Sequence, residues 1–403
     1  MSDLVSDLLP AGPPDVLFGA FDRHNFGDML LPHVLDRLLA GRPLRHAGLA
    51  ERDLTPFGGH RVDTLARIAA QPGPPPAHLI HVGGEILCCE GWEAAVMLLP
   101  PVPAAQAATK LGVHAEARRA WARAQLGTDA LAPYTAPPAL FPASTAILYH
   151  AIGGIDLDRR EAGLRAEVLD KLRAAAGVSV RDARTRAILA ANGIAARLVP
   201  DAAALVAALF GDAIRQRARR GEPARALAAF AHGYLAVQFS ADFGDDTTLD
   251  TLAAGLDRAA RASGCGIVLF RAGAAPWHDD PRVYARLAQR LSAPPLLLRS
   301  LDIWDICAVI AHARAYAGSS LHGRIVAMAF GLPRLNLAFP GQAPAASKAA
   351  AFAECWENAG APGAVTAAQL AEAVDQALVL APERLAAVAR DLAAEAGDGL
   401  VLP

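Results

Sequence analysis

The 403-residue sequence predicts an α/β protein made of two doubly wound, Rossmann-like domains facing each other across a cleft. Three observations carry this expectation. The chain is longer than one ordinary core encloses. Short β-like apolar runs alternate with longer amphipathic stretches, the pattern of parallel sheets covered by helices. The alternation restarts after an arginine-rich segment at 211–226 that contains Gly221 and Pro223, which reads as a helix end plus a linker. The expected division is therefore 1–222 and 223–403. The arginines of the linker read as a solvated helix face.

In chain order, 15–20 is the first predicted strand, followed by a loop and a helix over 27–39. Residues 78–82 form a strand that ends in Gly83-Gly84, and 145–151 form a third. Short strands over 178–181 and 197–200 flank a helix at 184–191. The proline-rich stretches 72–76 and 133–142 read as surface loops. The second series has strands at 232–240, 266–271, 313–318 and 334–337. Its helices are 249–262, 284–291, 303–311 and 321–330, with an alanine-rich helix over 366–396 packing back on the rest. Two such domains in succession give a GT-B-like layout. Ligands of such sheets sit beyond the carboxyl ends of the strands, so the loops there are the candidates.

Composition narrows the function classes. Hydrophobic residues make up 53% and charged residues 19%, which suits a folded chain. A net charge of −2 leaves no global basic field for nucleic acid. No apolar run is long enough to span a bilayer, and Met1–Pro10 has no basic n-region. Cys88, Cys89, Cys265, Cys307 and Cys355 form no metal-binding spacing, and Cys265 and Cys307 read as buried thiols. The expectation is a cytoplasmic protein with no metal and no cofactor. Asp242, Asp245 and Asp246 read as a loop with helix caps rather than as ion ligands.

The strongest local signal is Gly318-Ser319-Ser320-Leu321-His322-Gly323-Arg324, between a strand and an apolar helix. Ser319 or Ser320 can cap that helix, whose free amides and positive end attract an anion. Gly318 and Gly323 would let a ligand approach the backbone. From Ile306 to Ala353 there is no carboxylate, while His312, Arg314, His322, Arg324, Arg334 and Lys348 all fall there. An anion entering this half would meet no opposing charge. Arg271 ends a strand, with Trp277 and His278 in the loop after it.

The first half offers acids at strand ends. Asn25, Gly27 and Asp28 follow the first strand, and Asp28 is either a helix-start acid or a carboxylate aimed into the cleft as a base. Gly83, Gly84 and Glu85 form a second strand-to-helix junction with a second candidate acid. Arg181 could grip a carboxylate or phosphate. Asp182 is a helix cap or an acceptor contact, and Asp201 reads as the cap of the next helix.

Taken in order, Asn25-Phe26-Gly27-Asp28, Gly83-Gly84-Glu85, Arg181-Asp182, Val199-Pro200-Asp201, Ser319-Ser320-Leu321-His322-Gly323, Gly331-Leu332-Pro333 and Lys348 resemble the polysaccharide pyruvyl transferase family. The resemblance spans about residues 15–352. It implies a GT-B-like fold, with phosphoenolpyruvate as co-substrate and donor. The acceptor it implies is a saccharide of a cell-surface or exported polysaccharide, free or lipid-linked, the latter met at a membrane face. Ser320 stands where many members have arginine, and Glu85 where many have a third glycine. The roles it implies are a catalytic His322 with Asp28 or Glu85 as base. The donor would be held by Ser319, Ser320, Leu321, His322, Gly323, Arg324, Arg271, Arg181 and Lys348. The acceptor would meet Asn25, Gly27, Gly83, Gly84 and Asp182. Two alternatives are a GT-B glycosyltransferase using a nucleotide sugar and a non-catalytic glycan-binding homologue.

Overall fold

Val16, Leu17 and Phe18 put apolar side chains on both faces of the run Asp15–Phe18, which forms the fully buried strand β1 next to the centre of the first sheet. The computed structural model describes residues 12–358 and 360–403, so the reading of Met1–Pro10 lies outside the described residues. The other strands of this sheet are β2 (Leu44–Gly48), β3 (Arg52–Asp53), β4 (Arg61–Thr64), β5 (His78–His81), β6 (Ala146–Ile152), β7 (Gly177–Val180) and β8 (Arg197–Leu198). Their order is β3-β4-β2-β1-β5-β6-β7-β8, parallel except for β3 against β4. The chain runs outward from β1 through β2 and returns to β5 on the other side. The switch point therefore lies between the loops that follow β1 and β5.

The second sheet has β9 (Tyr234–Gln238), β10 (Gly266–Leu269), β11 (Leu296–Leu297), β12 (Ala315–Gly318), β13 (Arg334–Leu337) and β14 (Ala364–Val365). Its order is β11-β10-β9-β12-β13-β14, and every pairing is parallel. Here the switch point lies between β9 and β12, and β12 feeds the helix Leu321–Ala329 that carries His322. Both sheets thus turn their switch points to the cleft. Two parallel α/β sheets arranged in this way constitute the GT-B fold expected from the sequence.

The sheets are joined by the helices Val206–Arg217 and Gly221–Ala229, so the expected boundary at 222 falls inside a helix. The arginines there are not all solvated. Arg217 pairs with Asp302 and Asp305 of the second half. The expected terminal helix is two, Leu370–Leu378 and Pro382–Gly397. Pro382 holds Ala381 in an extended conformation and breaks the run. The last helix packs on residues 202–205 and on the His322 helix. One buried apolar cluster runs through both halves, from Leu17, Phe26 and Ile80 to Val268, Ile325 and Leu392. Among the described residues no helix is long and apolar enough to cross a membrane.

Candidate active site

Two helix N-termini meet at the cleft. Asn25 caps the helix Phe26–Leu38, its side chain accepting from the Gly27 amide at 3.2 Å. Ser320 caps the helix Leu321–Ala329 and accepts from the Gly323 amide at 3.2 Å. The ring of His322 lies directly on Gly27, where a Cβ would sit 2.0 Å from the ring atoms. Only glycine allows this approach.

The loop after β1 is sewn to the loop after β10. The Phe26 amide donates to the Ala272 carbonyl at 2.8 Å, and the Ala274 amide donates to the His24 carbonyl at 3.1 Å. Asn25 Nδ2 lies 3.2 Å from His278 Nε2, and His278 Nδ1 lies 3.1 Å from the Pro276 carbonyl. The carbonyl can only accept, so Nδ1 carries the proton and Nε2 accepts from Asn25. Burial pushes His278 down to about 4, with Arg23 adding to the effect, so the ring is neutral at pH 7.

His322 is buried, with Nε2 3.5 Å from a carboxylate oxygen of Asp201. That distance is the outer edge of a hydrogen bond, and the nitrogen otherwise has no partner. Asp201 is fully buried and also caps the turn at 202–205 through the Ala203 amide at 3.0 Å. Arg181 donates to Asp201 at 2.9 Å and to Glu85 at 2.7 Å. Burial opposes ionisation of Asp201, yet His322 and Arg181 together hold its carboxyl below the usual range. The line Glu85–Arg181–Asp201–His322 therefore crosses from the first half to the second through buried charges.

These groups open onto a cavity of about 270 Å³. The first half lines it with Arg23, Asp28, Glu85, Glu93, Tyr134, Arg160 and Arg181. The second half supplies Trp277, His278, Leu321, His322 and Lys348. Arg23 donates to the Tyr134 hydroxyl at 2.6 Å and stands 3.9 Å from Asp28. Its Nε is buried with no partner. Arg160 shares itself between Glu90 and Glu93 at 3.1 and 3.3 Å. Lys348 makes no ion pair with the described residues. Trp277 is 49% exposed at the rim and has a positive φ of 65°. Such a backbone is costly for a bulky residue.

The structure brings Asn25, Gly27, Asp28, Glu85, Arg181, Leu321, His322 and Lys348 together and places the other predicted residues elsewhere. Arg324 is fully buried beneath its helix, bonded to Glu357 at 2.9 Å and to the Pro362 carbonyl at 2.9 Å, so it cannot reach a donor. Arg271 does not line the cavity. Arg181 reaches it but is already neutralised by two carboxylates. Ser319 accepts from the Ser240 amide at 3.2 Å, and the Ser320 hydroxyl serves as the cap. Gly323 and Gly318 admit Tyr316, not a ligand, with its hydroxyl 2.3 and 2.5 Å from where their Cβ atoms would be. Gly83 and Gly84 have φ of 117° and 83° and make room for Leu31 and Asp28. Asp182 caps the helix Ala183–Ala191 through the Thr185 amide at 2.7 Å and its hydroxyl at 2.8 Å. Glu85 is held by Arg181 and by the Ile155 amide at 3.0 Å, which makes it a positioning residue rather than a free base. Asp245 is a helix cap and Asp246 pairs with Arg286 and Arg290.

Arg23, Tyr134, Glu93 and Arg160 escaped the sequence reading. Arg23 stood in plain view between Asp22 and His24 in a strand-end loop. Arg160 and Tyr134 come from segments with no motif, and only the fold brings them to the cleft.

A profile of the polysaccharide pyruvyl transferase family matches residues 134–338, just over half of the chain. The match includes Arg181, Asp201 and His322. No curated protein matches the sequence. Among solved structures, UDP-GlcNAc 2-epimerase from Neisseria meningitidis is 12% identical, covers 96% of this chain and 97% of its own, and superimposes with a TM-score of 0.54. A putative UDP-N-acetylglucosamine 2-epimerase from Listeria monocytogenes is 12% identical, with 96% and 92% covered and a TM-score of 0.56. The Methanocaldococcus jannaschii UDP-GlcNAc 2-epimerase is 11% identical, with 94% and 99% covered and a TM-score of 0.52. At these identities the likeness is one of fold. The profile match and the line of buried charges behind His322 lead to one assignment: the chain belongs to the polysaccharide pyruvyl transferase family.

Proposed function

We propose that the protein transfers a pyruvyl group from phosphoenolpyruvate to hydroxyls of a saccharide that becomes part of a cell-surface or exported polysaccharide, acting in the cytoplasm without a metal or cofactor. One observation carries the reading. His322 Nε2 is buried, backed by Asp201 and otherwise unpartnered, beside a small cavity that also holds Arg23, Arg160 and Lys348. A small, highly charged anion without a ribose suits that volume and charge. In this reading the first half is mainly the acceptor side and the second mainly the donor side, with Arg23 of the first half reaching the donor and Trp277 of the second reaching the acceptor.

In this reading Lys348, Arg23 and the amides of the Leu321–Ala329 helix hold the donor's phosphate and carboxylate. His322 gives a proton to the methylene carbon, which leaves the central carbon electrophilic. A sugar hydroxyl attacks that carbon and passes its proton to Asp28, the one lining carboxylate without a hydrogen bond among the described residues. A second hydroxyl then displaces phosphate, which takes the second proton, and the ketal closes. Asn25 and Trp277 lie on the acceptor side, where an exposed indole offers a sugar ring an apolar face.

The test is a thermal shift titration with phosphoenolpyruvate beside UDP, GDP and CMP. A ligand that binds only the folded protein raises the melting temperature with concentration. The expected result is a shift with phosphoenolpyruvate that His322→Ala removes. A shift with a nucleotide and none with phosphoenolpyruvate would overturn the reading.

A further inference from the structure

Behind the cavity runs a second line of buried polar groups, all of it in the first half. Asp22 follows β1 and is fully buried against Gly48, the last residue of β2, where a Cβ would sit 2.5 Å from the Asp22 side chain. One Asp22 oxygen accepts from the Leu49 and Ala50 amides at 2.6 and 3.2 Å. The other accepts from the Tyr134 hydroxyl at 2.7 Å. Burial pushes the Asp22 carboxyl up from its ordinary value, and Arg23 with these donors pulls it back. Burial also raises Tyr134 well above the ordinary phenol value, so its hydroxyl keeps its proton. That hydroxyl donates a hydrogen bond to Asp22 and accepts one from Arg23 Nη1 at 2.6 Å. The guanidinium carbon of Arg23 stands 5.1 Å from the centre of the Tyr134 ring as well.

Nη1 is thus occupied on the Tyr134 side. Nε is buried with no partner, and Nη2 makes no hydrogen bond among the described residues and stands 3.9 Å from Asp28. Nε–H and Nη2–H form the side-on edge of the guanidinium, two parallel donors that match the two oxygens of a carboxylate. Arg23, Tyr134 and Asp28 all line the cavity. We infer that Tyr134, seated by Asp22, is a positioning residue that holds this edge of Arg23 for the carboxylate of the three-carbon donor. The inference rests on the proposed transfer reaction and assigns one end of its donor. A planar, singly charged carboxylate suits a place beside Asp28 better than a phosphate, whose charge at pH 7 is about −1.5 to −2. The phosphate then falls to Lys348 and the amides of the Leu321–Ala329 helix. The carboxylate is bonded to the carbon that the sugar hydroxyl attacks. Holding it at Arg23 therefore brings that carbon to the side of Asp28, the proposed base.

The experiment measures, by calorimetry on the full-length protein, the affinity for phosphoenolpyruvate and for vinyl phosphate, the same molecule without its carboxylate. The wild type should bind phosphoenolpyruvate more tightly. Tyr134→Phe removes the hydroxyl that holds Nη1, and Arg23→Lys keeps the charge while removing the side-on edge. Each should weaken phosphoenolpyruvate binding about tenfold and leave vinyl phosphate within about twofold. Lys348→Met should weaken both ligands alike. A folding defect would also weaken both together, so the selective loss is what marks positioning. Equal losses for the two ligands in Tyr134→Phe and Arg23→Lys, or no loss, overturn this inference alone, since binding of phosphoenolpyruvate by the wild type keeps the transfer reading. No binding of phosphoenolpyruvate by the wild type overturns that reading, and this inference with it.

Discussion

The second half holds a long acid-free stretch, Ile306–Ala353, while the first half mixes acids and arginines, yet the two halves use their cations in opposite ways. Arg324 and Arg334 of the second half are fully buried and share one counter-ion, Glu357. It lies four residues beyond the end of the acid-free window. The first half presents Arg23, Arg160 and Arg181 to the cleft. Of the second half's basic residues, Lys348, His322 and the neutral His278 line it among the described residues. A stretch without carboxylates in sequence is not a stretch without them in space. Cations of one half are structural, and those facing the ligand come largely from the other.

The contrast can be broken at four points. Glu357→Gln leaves two buried guanidiniums without compensation. It should cost about 3–5 kcal/mol of stability in chemical denaturation, with affinity for phosphoenolpyruvate unchanged in whatever remains folded. Weaker affinity at unchanged stability would reverse the assignment. Asp201→Asn removes the carboxylate behind His322 while keeping its shape. Turnover should fall by about a hundredfold, roughly 2.7 kcal/mol, with KM little affected. The same variant has a pH signature. The folded value of Asp201 is depressed, so the stability it contributes is fully present above the unfolded value of about 3.9 and is lost as pH falls through the folded one. The stability gap between wild type and Asp201→Asn should therefore close in acid, and a gap constant with pH would refute the pairing.

Lys348→Met should weaken phosphoenolpyruvate binding about tenfold, or about 1.4 kcal/mol, without a change in melting temperature of the ligand-free protein. A loss of stability instead would show that the ammonium is structural. Trp277→Ala has the smallest expected effect, a rise of a few-fold in acceptor KM at constant donor affinity. An unchanged acceptor KM would remove the indole from the acceptor side.

The same contrast explains what could be read in advance. Buried strands such as β1, β5, β9 and β12 are apolar runs that end in a glycine or a polar loop, and their positions were legible to within a few residues. The strands on the β3 side of the first sheet were not. β2 reads Leu-Arg-His-Ala-Gly and β4 reads Arg-Val-Asp-Thr, and both carry partly exposed polar residues. The helices at 91–97, 101–111 and 115–126 went unread; the first is short and half-buried, and the other two are alanine-rich and largely exposed. In the cleft, His322 and Asp28 were legible from strand-to-helix junctions, and Lys348 from the acid-free stretch and the family resemblance. The partnerships were not. Asp201 announced itself only as a cap, and it is both a cap and the partner of His322. Arg181 promised a grip on an anion and spends it on Glu85 and Asp201. A motif shows which side chains stand at a strand end, and pairing across the fold decides which of them keep a free charge.

Gly27 and Asp201 lie in the first sheet's half, and the ring that rests on one and faces the other comes after β12. During synthesis the ribosome therefore releases nearly the whole acidic and basic lining of the cavity well before the histidine exists. In the proposed reaction, a nascent chain, or one whose second sheet has not yet closed, would hold cations for a phosphate but lack the proposed proton donor. The proposed chemistry would then switch on only when the second sheet docks, and a partly folded molecule would be inert toward the proposed reactants.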